Sequence, residues 1–329
     1  MKKIYAGLLA AAAVIAAGLP AAAQDYPTRT IKMVVPFPPG GPSDVVARIV
    51  ADGMGRAMNG TIIIENVSGA GGTIGTAHVA EAAADGYTLL AAGMGSHVAA
   101  PALFPSMKYD STKDFVPIGL AANSQVAIVG KKDLPASSLK DFIAWAKKGG
   151  DTVRQGHGGI GSASHMACLL FNTEAGLHPT PVAYRGTGPA LNDLIGGHID
   201  YFCEQVLSVA PAVKGGTIKA FAVSGDARST ALPDVPSAKE AGLPGYKLNI
   251  WSAVFAPKGT PPAVAAKLSA ALDKALDDPA VAKRLTDLGG AVPAKAERGP
   301  AHLESVLTAD IARWNPILKQ AMAESKKTK

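Results

Sequence analysis

The sequence predicts an α/β protein with two domains, each built on a parallel sheet covered by helices. Two observations predict this class: short β-type runs alternate with amphipathic helical segments, and the alternation restarts near residue 126. The composition agrees, because 48% of the 329 residues are hydrophobic and only 18% are charged, which excludes a disordered chain. With 36 Gly and 24 Pro, the chain favours tight turns over long helical rods.

The N-terminus has the three-part pattern of a secretory signal peptide. Lys2-Lys3 precede an apolar run from Ile4 to Leu19, and Ala21-Ala22-Ala23 supplies small residues for cleavage. The run has about 16 residues, whereas a bilayer span needs about 20, so the pattern favours a cleaved signal over a membrane anchor. We expect residues 1–23 to be removed and the mature protein to be soluble and periplasmic.

The first half of the mature chain has three β-type runs separated by helices. The runs cover residues 31–35, 61–65 and 87–91, and the helices follow loops rich in Gly, Pro and Ser. The first helix has an apolar face at Val45, Val46, Ile49, Val50 and Met54, and a second helix is predicted over residues 74–84.

The second half repeats the pattern and ends in helices. Strands are predicted over residues 126–129, 153–156, 182–184, 199–203 and 218–223, with helices over 138–148, 163–173, 189–195 and 206–214. After Thr260, leucines four residues apart indicate a helix that ends near Asp278, and a second helix closes at Gly289-Gly290. A final helix is predicted over residues 301–322, with Pro316 as a kink.

Four loops that follow a strand and precede a helix are candidates for ligand binding. They cover residues 37–43, 93–97, 157–164 and 185–188, and they are rich in Gly, Ser and Thr. Ligands of open α/β sheets bind at the carboxyl ends of strands, and helix N-termini present unpaired N–H groups to anions. The loops therefore predict a small anionic ligand held mainly by backbone donors and hydroxyl groups.

Several other classes of function are disfavoured. The segment 69–75 lacks the third glycine of a dinucleotide fingerprint and no Gly-Lys-Ser/Thr follows it, while the basic residues are too scattered for a nucleic-acid surface. No metal-ligand spacing and no cofactor motif is present. A secreted hydrolase using Ser162 or Ser164 with His165 is a weak alternative, because the chain has no Gly-x-Ser-x-Gly elbow. We therefore expect a protein that is not an enzyme.

The two cysteines leave two interpretations open. In an exported protein, the even count at Cys168 and Cys203 favours a disulfide. Alternatively, both are buried free thiols that pack as small apolar residues.

The chain resembles the periplasmic solute-binding proteins of tripartite tricarboxylate transporters, the Bug type. The resemblance spans the mature chain and rests on Tyr26-Pro27, IKMVVPFPPGGPSDVVAR (31–48), ENVSGAGGTIGTAHVAEAAADGYTLL (65–90), YRGTGPALNDLIGGHID (184–200), ALPDVPSAKEAGLPGY (231–246) and FAPKGTPP (255–262). The first loop departs from the family pattern at Pro38 and at Pro42-Ser43.

The resemblance implies a type II periplasmic-binding-protein fold, with two lobes, a two-segment hinge and a ligand cleft between the lobes. Lobe 1 would comprise residues 24–124 and 247–329, and lobe 2 residues 125–246. Two strand-like crossovers, near 121–125 and 246–255, would form the hinge. The ligand-binding positions carried onto this chain are Phe37, Gly40, Gly41, Ser43, Ser96, His97, Gly161, Ser162, Ser164, Tyr184, Gly186, Thr187 and Glu204, whereas Asp44 would cap its helix.

The resemblance also implies a function. We expect a monomeric extracytoplasmic receptor that binds an aliphatic or aromatic mono- or dicarboxylate and delivers it to the permease subunits of a tripartite transporter. The alternative is a receptor of the same ligand that signals through a sensor kinase. The residues do not identify the carboxylate.

Overall fold

The computed structural model describes residues 26–327, with side chains up to residue 320, so the predicted signal peptide lies outside the described residues. The strands are β1 (Ile31–Val35), β2 (Ile62–Asn66), β3 (Thr88–Gly93), β4 (Phe115–Lys131), β5 (Arg154–His157), β6 (Thr180–Ala183), β7 (Tyr201–Gln205), β8 (Ile218–Val223), β9 (Asn249–Pro257) and β10 (Gly290–Ala291). The α-helices are α1 (Pro42–Met58), α2 (Thr73–Ala80), α3 (Ala100–Leu103), α4 (Leu139–Gly149), α5 (Ala163–Ala175), α6 (Thr187–Ile195), α7 (Val206–Lys214), α8 (Pro262–Asp277), α9 (Pro279–Asp287) and α10 (Pro300–Lys327).

Two sheets share the long strand β4. The first sheet has the order β2-β1-β3-β9-β4, and its register with β4 ends at the pair Gln125 and Asn249. The second sheet places β7 and β8 on either side of the remainder of β4, beginning with the pair Val126 and Gln205, and continues through β5 to β6. We call the part built on the first sheet lobe 1 and the part built on the second sheet lobe 2.

Both sheets are mixed rather than parallel throughout. Strands β1, β2 and β3 are parallel to one another, as are β5, β6 and β7. Strands β9 and β4 run antiparallel to their neighbours. The sequence predicted only residues 126–129 of β4 as strand, because Pro117 and the small residues of its first half give no clear alternation.

Helices cover the sheets and close the hydrophobic cores. In lobe 1, Val50 of α1 and Leu272 of α8 are buried in one cluster with the strands. In lobe 2, Phe142 of α4 stacks on Phe221 of β8, with ring centroids 4.7 Å apart. Burial of such side chains from water is the main stabilising term for each lobe.

Two local predictions differ from the structure. Residues 93–97 do not form an open loop: after β3 ends, Gly95–Ala99 form a π-helix whose five residues are all buried. Helix α2 ends at Ala80 rather than near residue 84. Single π-helical turns are often found at functional sites, so the first difference bears on the cleft described below.

The expected disulfide between Cys168 and Cys203 is absent. Both cysteines are free and buried. The sulfur of Cys168 accepts a hydrogen bond from the backbone N–H of Cys203 at 3.1 Å, and its own thiol lies 3.8 Å from the carbonyl oxygen of Gly156. Burial raises the pKa of the Cys168 thiol, so both side chains fit the alternative of small apolar core residues.

Candidate functional site

A cleft between the two lobes collects the N-termini of four helices. The empty space between its lining atoms, counted together with the open solvent at its mouth, is about 540 Å³. The residues that line it at helix N-termini are Gly41, Pro42 and Ser43 of α1, Ser162, Ala163 and Ser164 of α5, Gly186 and Thr187 of α6, and Glu204 and Gln205 at the start of α7. Each helix N-terminus acts as about half a positive charge, so the cleft attracts an anion.

The chemistry of the lining restricts how an anion could be held. Among the described lining residues, Glu204 is the sole ionisable side chain, and none is Lys, Arg or His. An anion in this cleft would therefore be held by backbone N–H groups, hydroxyl groups and helix dipoles. Among all the residues that the structure describes, no three or more His, Cys, Asp or Glu side chains are arranged to hold a metal ion.

The loop between β1 and α1 is held in place by Asp44. Its carboxylate accepts hydrogen bonds from the N–H of Gly40 at 2.9 Å, from Asn66 at 2.9 Å and from the guanidinium of Arg48. Burial opposes ionisation of Asp44, but these hydrogen bonds outweigh it and lower its pKa. Asp44 therefore shapes the loop from within the first turn of α1. The expectation that it caps the helix is wrong, because Gly41 is the N-cap and no side chain caps it.

The loop between β5 and α5 is stabilised by two serines. The Ser162 hydroxyl accepts the N–H of His165 at 3.2 Å and thereby caps α5, and the Ser164 hydroxyl accepts the N–H of Gly158 at 2.8 Å. The two hydroxyl oxygens lie 3.0 Å apart. Both serines line the cleft, and because only one of the two hydroxyl hydrogens is used between them, the other can be donated to a ligand.

The carboxylate of Glu204 lies at the lobe 2 side of the cleft and is only 2% exposed. Its oxygens accept hydrogen bonds from the Thr187 hydroxyl at 2.6 Å and from the N–H of Gln205 at 2.7 Å. Burial raises its pKa to about 7, although both hydrogen bonds favour the ionised form. Near neutral pH this group can therefore exist with or without its proton.

Strand β9 supplies the floor of the cleft with Ile250, Trp251 and Ser252. The indole N–H of Trp251 donates to Asp310 of α10 at 2.7 Å, which fixes the orientation of the ring.

Gln205 is 4% exposed, and its Oε1 has no hydrogen-bond partner within the described part of the chain. This oxygen can therefore accept a hydrogen bond from a ligand.

The structure brings most of the predicted site residues together. The predicted positions that line the cleft are Phe37, Gly41, Ser43, Ser162, Ser164, Gly186, Thr187 and Glu204. The others lie outside the lining. Gly40 donates its N–H to Asp44, and Tyr184 donates its hydroxyl to Asp193 at 2.6 Å. Gly161 packs against Phe104.

The remaining two predicted residues, Ser96 and His97, are completely buried within the π-helix. The imidazole of His97 stacks on Phe255 at 4.3 Å between ring centroids, and its Nδ1 lies 3.2 Å from the Ser96 hydroxyl. Burial lowers the pKa of His97 to about 3, so it stays neutral. Both side chains therefore pack in the core and do not line the cleft.

A serine hydrolase site is not formed. His165 contacts the Ser162 hydroxyl through its backbone N–H, and its ring Nδ1 has no hydrogen-bond partner among the described residues. The ring instead packs 4.7 Å from the ring of His157. Without a hydrogen bond from serine to imidazole, neither hydroxyl group is activated as a nucleophile.

Sequence reasoning missed part of the lining. Met94, Gly95 and Gly158 belong to loops that it did identify, and Gln205 adjoins Glu204. The floor residues of β9 gave no signal, because an apolar strand segment looks the same whether it faces a core or a cleft.

The lobes touch each other at the rim of the cleft. A Cβ atom built on Gly186 would lie 2.9 Å from Pro38 Cγ, and one built on Gly71 would lie 2.6 Å from the carbonyl oxygen of Ile160. Both contacts join a loop of lobe 1 to a loop of lobe 2. Glycine is needed at Gly186 for two reasons, since its φ of 114° is also unfavourable for other residues. The lobes are therefore closed over the cleft.

Comparisons with known proteins agree with this architecture. The family described as "Tripartite tricarboxylate transporter family receptor" (TctC) matches residues 46–322. The protein BugT of Bordetella pertussis is 35% identical over 321 residues, covering 97% of each chain. None of the helices between Tyr26 and Lys327 has the length and apolarity that a membrane span requires.

Two solved structures are similar over nearly their whole length. MatC from Rhodopseudomonas palustris with bound malate is 42% identical, with a TM-score of 0.85, and covers 89% of this chain and 100% of its own. The periplasmic binding protein BugD is 37% identical, with a TM-score of 0.86, and covers 90% and 98%. These likenesses confirm the expected two-lobed periplasmic-binding-protein fold.

Proposed function

The chain belongs to the tripartite tricarboxylate transporter receptor family, and from this premise we propose that it binds a small carboxylate in the periplasm and delivers it to the permease of such a transporter. The family consists of solute-binding receptors and not of enzymes, in line with the absence of an activated serine at Ser162 and Ser164.

One observation carries the carboxylate assignment. Four helix N-termini, from both lobes, converge on one cleft whose described lining has no cationic side chain. Preorganised N–H donors suit a compact anion with several acceptor oxygens, and a carboxylate is such a group. The malate bound to MatC, a protein 42% identical to this chain, also supports a small carboxylate ligand.

The mechanism is a shift between open and closed forms. A ligand that contacts the N-termini of α1 in lobe 1 and of α5 and α6 in lobe 2 binds the closed form better and so increases its population. The hinge lies where β4 exchanges β9 for β7 as its partner, at Gln125 and Val126, and where β9 begins at Asn249. Residues 24–124 and 247–329 then move against residues 125–246.

Calorimetric titration of the mature protein tests the ligand class. The panel contains malate, succinate, adipate and benzoate, with glucose as a neutral control and putrescine as a cationic control. We expect at least one acid to bind with a Kd in the micromolar range or below, and neither control to bind. Binding of glucose or putrescine without binding of any acid would refute the assignment. Loss of uptake on gene deletion supports delivery to a permease, whereas retained uptake with loss of a transcriptional response would assign the receptor to a sensor kinase.

A further inference from the structure

The cleft proposed to bind an acid contains an acid of its own. Glu204 lines the cleft, is 2% exposed, and is the sole ionisable side chain in the described lining. It lies at the N-terminus of α7 and is hydrogen-bonded to Thr187 at the N-terminus of α6. In the empty cleft, an ionised Glu204 therefore occupies the positive field that a ligand carboxylate would use.

The donors around Glu204 cannot fully serve two carboxylates at once. The Thr187 hydroxyl has a single hydrogen to donate, and Glu204 Oε2 accepts it at 2.6 Å. The N–H of Gln205 is directed to Glu204 Oε1 at 2.7 Å. When a second carboxylate enters a confined cleft of this kind, like charges raise the proton affinity of one of the two groups, as in paired carboxylates generally.

We propose that binding of the carboxylate ligand is coupled to uptake of one proton by Glu204, whose protonated carboxyl then donates a hydrogen bond to the ligand. This inference rests on the proposed function, since it requires that the cleft binds an acid. The proton comes from the buffer and is carried on Glu204 for as long as the ligand is bound. No covalent bond of the ligand or of the protein changes.

Burial of Glu204 favours uptake of the proton by this residue. It raises the pKa of the free carboxyl to about 7, well above that of the ligand carboxylates. The proton therefore moves to Glu204 and not to the ligand. Below pH 7 Glu204 is largely protonated before the ligand arrives, and above pH 7 it must take up a proton on binding.

The other titratable groups near Glu204 lie on the elements packed against it and across the cleft. Burial lowers the pKa of His165 on α5 to about 4, and it also lowers the pKa of His157 on β5, so both rings are neutral at pH 8. Burial raises the pKa of Cys168 on α5. The paired residue of Glu204 on β4 is Ala127, and α6 and α7 contribute Asp193 and Lys214 far from their N-termini. Across the cleft, Asp44 of α1 is ion-paired with Arg48.

The experiment counts protons during calorimetric titration. Malate, succinate and adipate are titrated into the mature protein at pH 8 in EPPS and in Tris, two buffers with different ionisation enthalpies, and the tightest-binding acid is used further. We expect an uptake of about 0.9 proton at pH 8, which falls to about 0.1 at pH 6, because Glu204 titrates near pH 7. This measurement on the unmodified protein does not depend on whether any variant folds.

A matched pair of variants assigns the proton to its residue. Glu204→Gln replaces the carboxyl with a neutral group of the same shape, so it should take up no proton. It should bind the acid as tightly as the wild type at pH 6 and about tenfold more tightly at pH 8. Glu304→Gln removes an exposed carboxylate of α10, remote from the cleft lining, and should behave like the wild type.

The outcomes separate the two proposals. An acid that binds the wild type with no proton uptake at pH 8 refutes this inference and leaves the proposed function intact, because Glu204 would then stay ionised beside the bound ligand. Equal uptake in Glu204→Gln and in the wild type also refutes it. If no acid binds at all, the proposed function fails and this inference fails with it.

Discussion

Closure of the lobes depends on a close approach at Gly95, and this can be tested by adding one methyl group. Gly95 lies in the π-helix of lobe 1, where a Cβ atom would be 3.0 Å from the carbonyl oxygen of Gly161 in lobe 2 and 3.1 Å from Phe37. Both distances are tighter than normal contact. The methyl group of Gly95→Ala therefore requires its neighbours to shift by a few tenths of an ångström. The ring of Phe37 belongs to lobe 1 and must shift in both forms, whereas the contact with Gly161 is relieved when the lobes separate.

The magnitude follows from the cost of overpacking. An additional methyl group in a well-packed site costs about 1–3 kcal/mol. Because separation of the lobes relieves the contact with Gly161, most of this cost appears as weaker binding and little as lower stability. At about 1.4 kcal/mol per factor of ten, we expect Kd to increase about 5- to 150-fold. Alanine is the better helix former, which favours normal folding of the variant.

Calorimetry with the bound acid measures this change against a control variant. A Cβ atom built on Gly188 of α6, outside the cleft lining, has no neighbour within 4 Å. Gly188→Ala should change Kd less than about threefold, within the usual effect of substitutions without a clash. A Kd for Gly95→Ala within twofold of the wild type would show that ligand binding does not require this approach of the lobes.

Three further predictions concern two side chains that support the cleft and the two buried cysteines. Thr187→Val removes the hydroxyl that donates to Glu204, so the Glu204 carboxyl should titrate at higher pH. The melting temperature should therefore fall more at pH 8, where Glu204 is ionised, than at pH 5, and equal losses at both pH values would contradict this. Asp44→Asn should weaken binding at least tenfold and lower stability by about 1–3 kcal/mol at pH 7, a difference that shrinks as the pH falls toward the lowered pKa of Asp44; a loss independent of pH would argue against the ionised carboxylate as the support. A thiol reagent should detect two thiols, Cys168 and Cys203, in the protein denatured without reductant and none in the native protein, whereas no thiols after denaturation would indicate a disulfide.

The local alternation of the sequence predicts most elements, because each has a strong signal of its own. The run Ile31–Val35, the helix Val206–Lys214 and the strand Ile218–Val223 have the expected bounds. Alternation alone did not predict the first half of β4 or β9, and only the family resemblance placed strand-like crossovers near 121–125 and 246–255. Their antiparallel pairing is a contact between residues more than a hundred positions apart, and such pairing leaves no local pattern in either segment.

The site is predictable to the extent that it consists of loops. Gly41, Ser162, Gly186 and Thr187 follow strands and precede helices, so their position at one edge of the molecule follows from the order of the elements. The burial of Ser96 and His97 could not be predicted, because the π-helix turns both side chains away from the cleft edge and into the core.

The cleft presents helix dipoles instead of a cationic side chain, and this affects which anions it binds. An arginine in the cleft would have to shed the water around a full charge when the lobes close, whereas the N–H groups of α1, α5 and α6 are dipoles that folding has already oriented toward the cleft. Such a field alone would also attract inorganic anions into the empty receptor. Ionised Glu204 partly neutralises that field, so an anion must displace a buried charge from its donors or bind together with a proton that Glu204 takes from solution. A carboxylate is well placed to do so, since it can accept a hydrogen bond from the protonated Glu204 while it takes the freed donors.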